Sequence, residues 1–355
     1  MSSTWGDNVK ISVFGQSHGA AVGVVIDGLP AGEPIDFEEL QRFLDRRAPG
    51  CSPLSSPREE RDVPRILSGL VNGVTCGAPL CAVLENSNIR PADYAALRDC
   101  PRPGHADYTA QLKYGGFQDT AGGGHFSGRL TAPLCVAGGI ALQLLRRRGI
   151  RLAAHIASIG EIEDMPFDPM TPATTPEGEL PVLDRSQRER MRALILSAAA
   201  DGDSVGGVVE CQVAGLAAGF GGPLFGGLEG KLASALFAIP AVKGVEFGEG
   251  FHAAKLNGSR NNDPYTVKDG AVVPASNRAG GILGGISTGL PILLRAAFKP
   301  TPSIAREQQS ASFSTGAVET LRIRGRHDPC IVPRAVPVVE AVTALVILDV
   351  VLGGK

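Results

Sequence analysis

The stretch VGVVIDGLPAG, residues 22–32 of this 355-residue sequence, gives the first indication of the fold class. Val22–Asp27 has the β-branched composition of a strand, and residues 28–32 (GLPAG) close it in a turn. A helix should follow, with Asp36 as its N-cap and Glu39 completing a capping box. Glycine-rich strands of this kind recur along the chain and outnumber the helices, which argues against a doubly wound parallel sheet.

The same pattern returns in the second half of the chain. Ile26–Gly32 (IDGLPAG) resembles Val213–Gly219 (VAGLAAG), and each is followed by a predicted helix. Leu70–Leu80 (LVNGVTCGAPL) resembles Ile282–Ile292 (ILGGISTGLPI) in its glycine and proline positions. We therefore expect two related halves in a single domain, 1–355, with a site where they meet. Chance similarity between glycine-rich strands is the alternative.

Apolar periodicity predicts further helices at Tyr108–Tyr114, Ser127–Arg148, Gln187–Ala200, Leu228–Ala238 and Ala335–Leu352. The run Leu130–Leu145 is too short to span a membrane, and the last helix contains Glu340 and Asp349. Both are therefore expected to be buried helices. The segment Met165–Leu183 is rich in Pro and Thr, which predicts a surface excursion between the halves.

The composition is that of a packed protein without a global affinity for polyanions. Hydrophobic residues make up 43% and charged residues 20%, and the formal net charge is −2. Neither nucleic acid nor a membrane is expected as a partner. The seven cysteines form no metal-like CxxC pair, and no export signal precedes Val9–Phe14. We therefore expect reduced thiols, no metal and a cytoplasmic location.

The turn GQSHG at 15–19 has three interpretations. It matches the G-x-S-x-G nucleophile elbow of hydrolases, with Ser17 as nucleophile, but Ala20–Asp27 looks like a strand where the elbow needs a helix. It also suits a tight turn that presents the Ser17 hydroxyl and the His18 imidazole to an anion. A simple glycine hairpin with a surface histidine is the third interpretation.

Further polar turns lie at the ends of predicted elements. RPGHAD (102–107) and RGRHDPC (324–330) each combine arginine with histidine, although a solvated turn or a charged loop would look similar. KPTPS (299–303) could hold a phosphate but lacks P-loop glycine spacing. GGGHFSGR (122–129) begins a helix whose N-terminus favours an anion. Together these turns indicate a small polyanionic ligand. The remaining histidines, His155 and His252, lie in strand-like runs and are expected to be structural.

The combination resembles the chorismate synthase family from about residue 6 to the last helix. The motifs GQSHG, RPGHAD and GRHDPC occur in the family's order, with ILSG, GDSVGG, VKGVEFG, AGGILGGIS and KPTPSI between them. The resemblance implies an α+β fold, a β-α-β sandwich with helices between antiparallel sheets. It also implies a lyase that eliminates phosphate from 5-enolpyruvylshikimate 3-phosphate in an anti-1,4 sense. The product, chorismate, ends the shikimate pathway to aromatic amino acids, and FMN must be reduced although the reaction is redox-neutral.

The resemblance also implies roles for individual residues. His18 would protonate the departing phosphate, His105 would support the reduced flavin, and Asp328 would act as a base near flavin N5. The substrate would be held by Ser17, Arg46, Arg102, Ser127 and Arg129. The flavin would be held by Asn277, Gly284, Lys299, Pro300, Thr301, Pro302, Ser303 and Arg326, and Arg47 matches a position linked with NADP(H).

The sequence departs from the family pattern at several anion-binding positions. Ala48, Pro53 and His125 stand where an arginine is usual, and Pro240 replaces a common asparagine. Two rival functions follow, a serine hydrolase using Ser17 and a binding protein for flavin or anions without turnover. The family further implies a homotetramer, an external flavin reductant and NADPH only as an indirect reductant.

Overall fold

The structure is a computed structural model that describes residues 3–50, 54, 60–87, 98–323 and 327–355. Its strands are β1 Thr4–Trp5, β2 Lys10–Gly15, β3 Ala21–Asp27, β4 Arg65–Ser68, β5 Leu70–Val71, β6 Val74–Thr75, β7 Leu80–Glu85, β8 Arg151–Ile159, β9 Ile162–Glu163, β10 Gly207–Ala214, β11 Val242–Phe247, β12 Tyr265–Lys268, β13 Ala271–Pro274, β14 Ile282–Leu283, β15 Ile286–Ser287, β16 Ile292–Phe298, β17 Glu307–Ala311 and β18 Val318–Arg322. Its helices are α1 Phe37–Asp45, α2 Asp107–Tyr114, α3 Thr131–Arg147, α4 Arg185–Ala200, α5 Leu228–Phe237, α6 Gly258–Asn261 and α7 Val332–Gly353.

Two five-stranded antiparallel sheets enclose a layer of helices. The first sheet has the order β1-β2-β3-β7-β4 and the second the order β11-β16-β10-β8-β9. Helix α3 packs on the first sheet, α7 packs on the second, and the two helices pack against each other. This arrangement confirms the predicted α+β sandwich.

The helices α3 and α7 are mostly apolar and mostly buried, as expected of helices that are packed on several sides. The helical run Gly128–Arg147, which includes α3, and helix α7 are both long and apolar enough to cross a membrane, yet 83% and 89% of their most apolar windows are buried, so both are core helices. Gly138 allows their close approach, since a Cβ there would lie 2.3 Å from the Cα of Ala341. A 3₁₀ turn over Gly128–Leu130 leads into α3, close to its predicted start.

The helix after the first turn begins as predicted, but its capping box is incomplete. Asp36 caps α1 by accepting the Glu39 N–H at 2.9 Å. The Glu39 carboxylate does not return to the Asp36 N–H, which donates to Gln143 Oε1 at 2.9 Å, and it pairs with Arg146 instead. A neighbouring helix therefore replaces the local partner, and the capping-box prediction was wrong in its second half.

Two further predictions are refined by the packing. His155 lies in β8 as expected and is buried between Asp164 and Glu210, but His252 lies in the 3₁₀ segment Gly250–Lys255 and not in a strand. The segment Met165–Leu183 has no helix or strand, as expected of an excursion. It nevertheless buries Phe167, Leu180 and Val182, so it covers part of the protein core.

Candidate active site

Most of the polar turns singled out in the sequence line one cleft of about 550 Å³. This volume lies within the range of roughly 300–1,000 Å³ typical of small-molecule sites. The residues that line the cleft are His18, Arg47, Pro49, Glu60, Arg102, Gly104, His105, Ala106, Gly122, His125, Phe126, Ser127, Gly128, Arg129, Thr131, Phe237–Val242, Phe298, Lys299, Thr301, Pro302, Ser303, His327, Asp328, Ile331, Arg334, Ala335 and Val338.

The first turn brings His18 to the cleft and leaves Ser17 behind it. Ser17 is 1% exposed, its hydroxyl donates to the Ala121 carbonyl at 3.2 Å, and its Oγ lies 3.1 Å from His18 Nδ1. Strand β3 begins at Ala21, so no helix follows the serine. The turn therefore lacks the geometry of a nucleophile elbow, and the Ser17 side chain does not line the cleft.

The second turn builds a charged network around His105. Arg102 donates to both carboxylate oxygens of Asp107, at 2.7 and 2.8 Å, and His105 Nδ1 lies 2.5 Å from Asp107 Oδ1. The carboxylate can only accept, so we assign the proton of the imidazole to Nδ1. Burial opposes the charge of Asp107, but the hydrogen bonds from Arg102 and His105 outweigh it and hold the pKa of this carboxyl well below its usual range.

Two buried arginines share one carboxylate on the other side of the cleft. Arg47 Nε lies 2.6 Å from Asp62 Oδ2, and Arg129 Nη1 donates to Asp62 Oδ1. All three side chains are at most 3% exposed. Burial would raise the pKa of Asp62, but the two guanidinium groups outweigh it and lower that pKa. Arg129 also donates to Asn86 Oδ1 at 2.9 Å, which fixes the guanidinium plane.

The third motif pairs a carboxylate with Arg334, which also contacts the backbone of Arg47. Asp328 Oδ2 accepts from Arg334 Nη1 at 2.6 Å, and Arg334 Nε donates to the Arg47 carbonyl at 2.8 Å. Next to this pair, the buried Nε2 of His327 has no hydrogen-bond partner among the described residues. Burial, and then the charge of Arg102, lowers the pKa of His327 to about 4, so its imidazole is neutral at pH 7.

The loop after β16 contributes Lys299, Thr301, Pro302 and Ser303 to the lining of the cleft. Lys299 donates to the Gly104 carbonyl, and Ser303 Oγ accepts from Arg102 Nη1 at 3.4 Å, which ties the loop to the RPGHAD turn. Burial, and then the charge of Lys243, lowers the pKa of Lys299. The Thr301 hydroxyl is buried without a partner in the described part of the chain. A buried orphan hydroxyl beside a lysine is a natural contact for a phosphate oxygen.

Several predicted site residues lie away from the cleft. Arg46 pairs with the buried Glu340 at 2.6 Å and lines a separate cavity of about 410 Å³. Asn277 donates to two backbone carbonyls, and Gly284 lies exposed at the turn between β14 and β15. Pro300 does not line the cleft, although its neighbours do. Arg326, like Pro53, lies outside the described residues.

Arg46 lies away from the cleft because of its position at the end of a helix. Arg46 is the C-cap residue of α1 and Arg47 follows it, so the two side chains leave the helix in different directions. Arg47 enters the cleft and Arg46 does not. Sequence alone could not assign which of the two adjacent arginines lines the cleft.

Sequence reasoning missed the partners that orient the site and one of its walls. Asp62, Asp107 and Arg334 were given no role, although each holds a predicted site residue in place. The segment Phe237–Val242 forms an apolar wall. The unusual Pro240 was the one signal of it in the sequence. His125 lines the cleft, with Nδ1 2.8 Å from the Gly15 carbonyl and Nε2 2.7 Å from Ser3 Oγ, so it is held by neutral groups.

Comparisons with known proteins agree over almost the whole chain. Residues 9–352 match the family described as chorismate synthase. The chorismate synthase of Lancefieldella parvula is 48% identical over 98% of this chain and 96% of its own length. That of Dehalococcoides mccartyi is also 48% identical, over 99% and 97%. A solved crystal structure of chorismate synthase superposes with a TM-score of 0.75 at 25% identity, covering 98% of this chain and 93% of that one.

Proposed function

The chain belongs to the chorismate synthase family, and from that premise we propose that the cleft is the site where it acts on 5-enolpyruvylshikimate 3-phosphate. The family's activity is the elimination of phosphate from this substrate to give chorismate. One C–O bond and one C–H bond break, and the ring gains a double bond. The observation that carries the proposal is the convergence of His18, His105 and Asp328 on one cleft with four buried or half-buried arginines.

The cleft also fits reduced FMN, the cofactor of the family. Its volume, the orphan hydroxyl of Thr301 and the adjacent Lys299 suit a flavin with a phosphate tail. We propose that Lys299, Thr301, Pro302 and Ser303 hold the phosphate tail. When bound, reduced FMN supplies the electron-rich ring that the reaction requires although substrate and product are at the same oxidation level.

The chain's own residues would handle the protons and the charges. His18 would protonate the departing phosphate, and Asp328, oriented by Arg334, would take part in removal of the ring proton. His105, oriented by Asp107, would stand beside the anionic flavin. Arg47, Arg102 and Arg129 would hold the anionic groups of the substrate, with Arg47 in the place expected for Arg46. Their guanidinium groups are already fixed by carboxylates, so little reorganisation accompanies binding.

We also propose a duplicated architecture for the chain. Strands β3 and β7 are antiparallel neighbours in one sheet, as β10 and β16 are in the other. A glycine with positive φ follows β3 and β10, at Gly28 and Gly215. Each half also has a short hairpin, β5–β6 or β14–β15, before the second strand of the pair. Equivalent strands with equivalent turns favour two related halves over chance similarity.

The remaining expectations concern the surroundings of the enzyme. We propose a homotetramer in the cytoplasm that receives reduced flavin from an external reductant, with NADPH acting indirectly. Sedimentation velocity tests the oligomeric state. A dependence of turnover on an added flavin reductase, when NADPH replaces dithionite, tests the source of electrons.

The decisive experiment is an anaerobic assay of the purified protein with dithionite-reduced FMN and 5-enolpyruvylshikimate 3-phosphate. Phosphate release and chorismate absorbance should both require reduced FMN and should be lost in His18→Ala and in His105→Ala. Unchanged turnover in either variant would remove that histidine from the chemistry. FMN binding without any turnover would indicate a binding protein, and labelling of Ser17 by a fluorophosphonate would indicate a hydrolase.

A further inference from the structure

A run of three glycines, Gly122–Gly124, lies against both of the histidines to which the proposed function gives roles. All three have positive φ, at +65°, +105° and +54°. Side chains other than glycine rarely adopt such backbone conformations, so the sequence GGG permits a loop shape that few other residues could form.

The first glycine makes room for His18. A Cβ built at Gly122 would lie 2.0 Å from Cε1 and 2.1 Å from Nδ1 of the His18 ring, and 3.0 Å from Ser17 Oγ. Non-bonded carbon atoms do not approach that closely, because the favourable separation is about 3.5–4.0 Å. The imidazole of His18 therefore occupies the volume that any side chain at position 122 would need.

The second glycine does the same for His105. A Cβ at Gly123 would lie 3.1 Å from Cε1 and from Nε2 of the His105 ring. Asp107 holds Nδ1, on the other side of the same ring, at 2.5 Å. The ring is thus confined between a carboxylate and the glycine backbone. Since consecutive Cα atoms are about 3.8 Å apart, a single peptide unit separates the contact points of the two imidazoles.

The loop itself is held firmly enough to act as a spacer. Ser17 N–H donates to the Gly124 carbonyl at 3.1 Å, and Ser17 Oγ donates to the Ala121 carbonyl at 3.2 Å. Gly124 N–H closes a turn onto the Ala121 carbonyl at 3.0 Å. A Cβ at Gly124 would meet the Asp119 carbonyl oxygen at 2.5 Å, so this residue also cannot shift easily.

We infer that Gly122 and Gly123 are positioning residues, a spacer of bare backbone that sets the separation and orientation of the His18 and His105 imidazoles. This inference rests on the proposed function, which gives both rings a part in the reaction. It predicts that a methyl group on the spacer harms catalysis through the ring that it touches, and not through general loss of folding.

A double-mutant cycle tests the inference. Gly122→Ala must move the His18 ring by at least about 1 Å, which should lower kcat by roughly 10²-fold. In the His18→Ala background the same change should lower kcat by less than about threefold, because the ring that it displaces is gone. Gly123→Ala should couple in the same way to His105→Ala. The matched control is Gly115→Ala, which has a similar φ of +58° but no atom within 4 Å of its Cβ.

A second readout does not depend on turnover. Diethylpyrocarbonate modifies accessible neutral imidazoles, and peptide mass spectrometry gives the rate for each histidine. Gly122→Ala should change the modification rate of His18 by several-fold and leave that of the exposed His252 unchanged. The urea midpoint and the affinity for oxidised FMN report whether the variants fold.

The outcomes separate the two levels of the proposal. If His18→Ala alone leaves kcat unchanged, the proposed role of His18 fails. If His18→Ala abolishes most of the activity while Gly122→Ala lowers kcat equally in both backgrounds, the spacer inference is overturned and the proposed function stands. If Gly122→Ala does not fold, the milder contact at Gly123 and the rate of His105 modification decide the question.

Discussion

Replacement of Asp62 by asparagine should destabilise the protein strongly, because this carboxylate accepts hydrogen bonds from two buried arginines. Arg47 Nε lies 2.6 Å from one carboxylate oxygen and Arg129 donates to the other, with all three side chains at most 3% exposed. Breaking a buried ion pair by removing one partner costs about 3–5 kcal/mol. That is a large part of a typical unfolding free energy of about 5–15 kcal/mol.

Equilibrium urea unfolding measures this loss. The control is Glu307→Gln, which removes an exposed pair with Arg322 and should leave the unfolding free energy unchanged. A loss of less than about 1 kcal/mol in Asp62→Asn would refute the reasoning, because it would mean that the two guanidinium groups find water or other partners at no cost.

The pH dependence gives an independent check. The folded-state pKa of Asp62 is lowered, so its contribution is present above the unfolded-state pKa of about 3.9 and is lost as pH falls through the folded-state value. The difference in unfolding free energy between the wild type and Asp62→Asn should therefore be constant near pH 7 and should shrink below about pH 4. A difference that grows on acidification would contradict the assignment of the charges.

Three further predictions concern the cleft and the core. Asp107→Asn should lower kcat by about 10²-fold or more in the anaerobic assay, because the amide no longer fixes the Nδ1 proton of His105; activity within twofold of wild type would contradict this. Lys299→Met should weaken FMN binding about tenfold in a fluorescence titration, through loss of one charge-assisted contact, and an unchanged affinity would move the phosphate elsewhere. At pH 8 a disulfide reagent should modify the exposed Cys76 and spare Cys135, since burial raises the pKa of the Cys135 thiol to about 12; peptide mass spectrometry distinguishes the two.

Local sequence predicted most of the long elements, and the family resemblance pointed to most of the cleft. Side-chain periodicity and turn chemistry act over a few residues. They predict the strand over Val22–Asp27, the N-cap at Asp36 and the buried helices α3 and α7. The turns bearing His18, His105 and Asp328 are likewise short motifs, and all three side chains line one cleft.

Tertiary structure alone decided which groups meet across long distances in the chain. Asp62 pairs with both Arg47 and Arg129. Gln143 takes the place of Glu39 in the cap of α1. Arg334 orients Asp328 and also contacts the backbone of Arg47. Likewise, Arg46 pairs with the buried Glu340 and does not line the cleft. The physical reason is that a buried charge takes whichever partner the packing brings within about 3 Å, and sequence separation does not encode that proximity. The local motifs and the family resemblance therefore singled out the candidate site residues, and the packing of α3, α7 and the two sheets determined how they are paired.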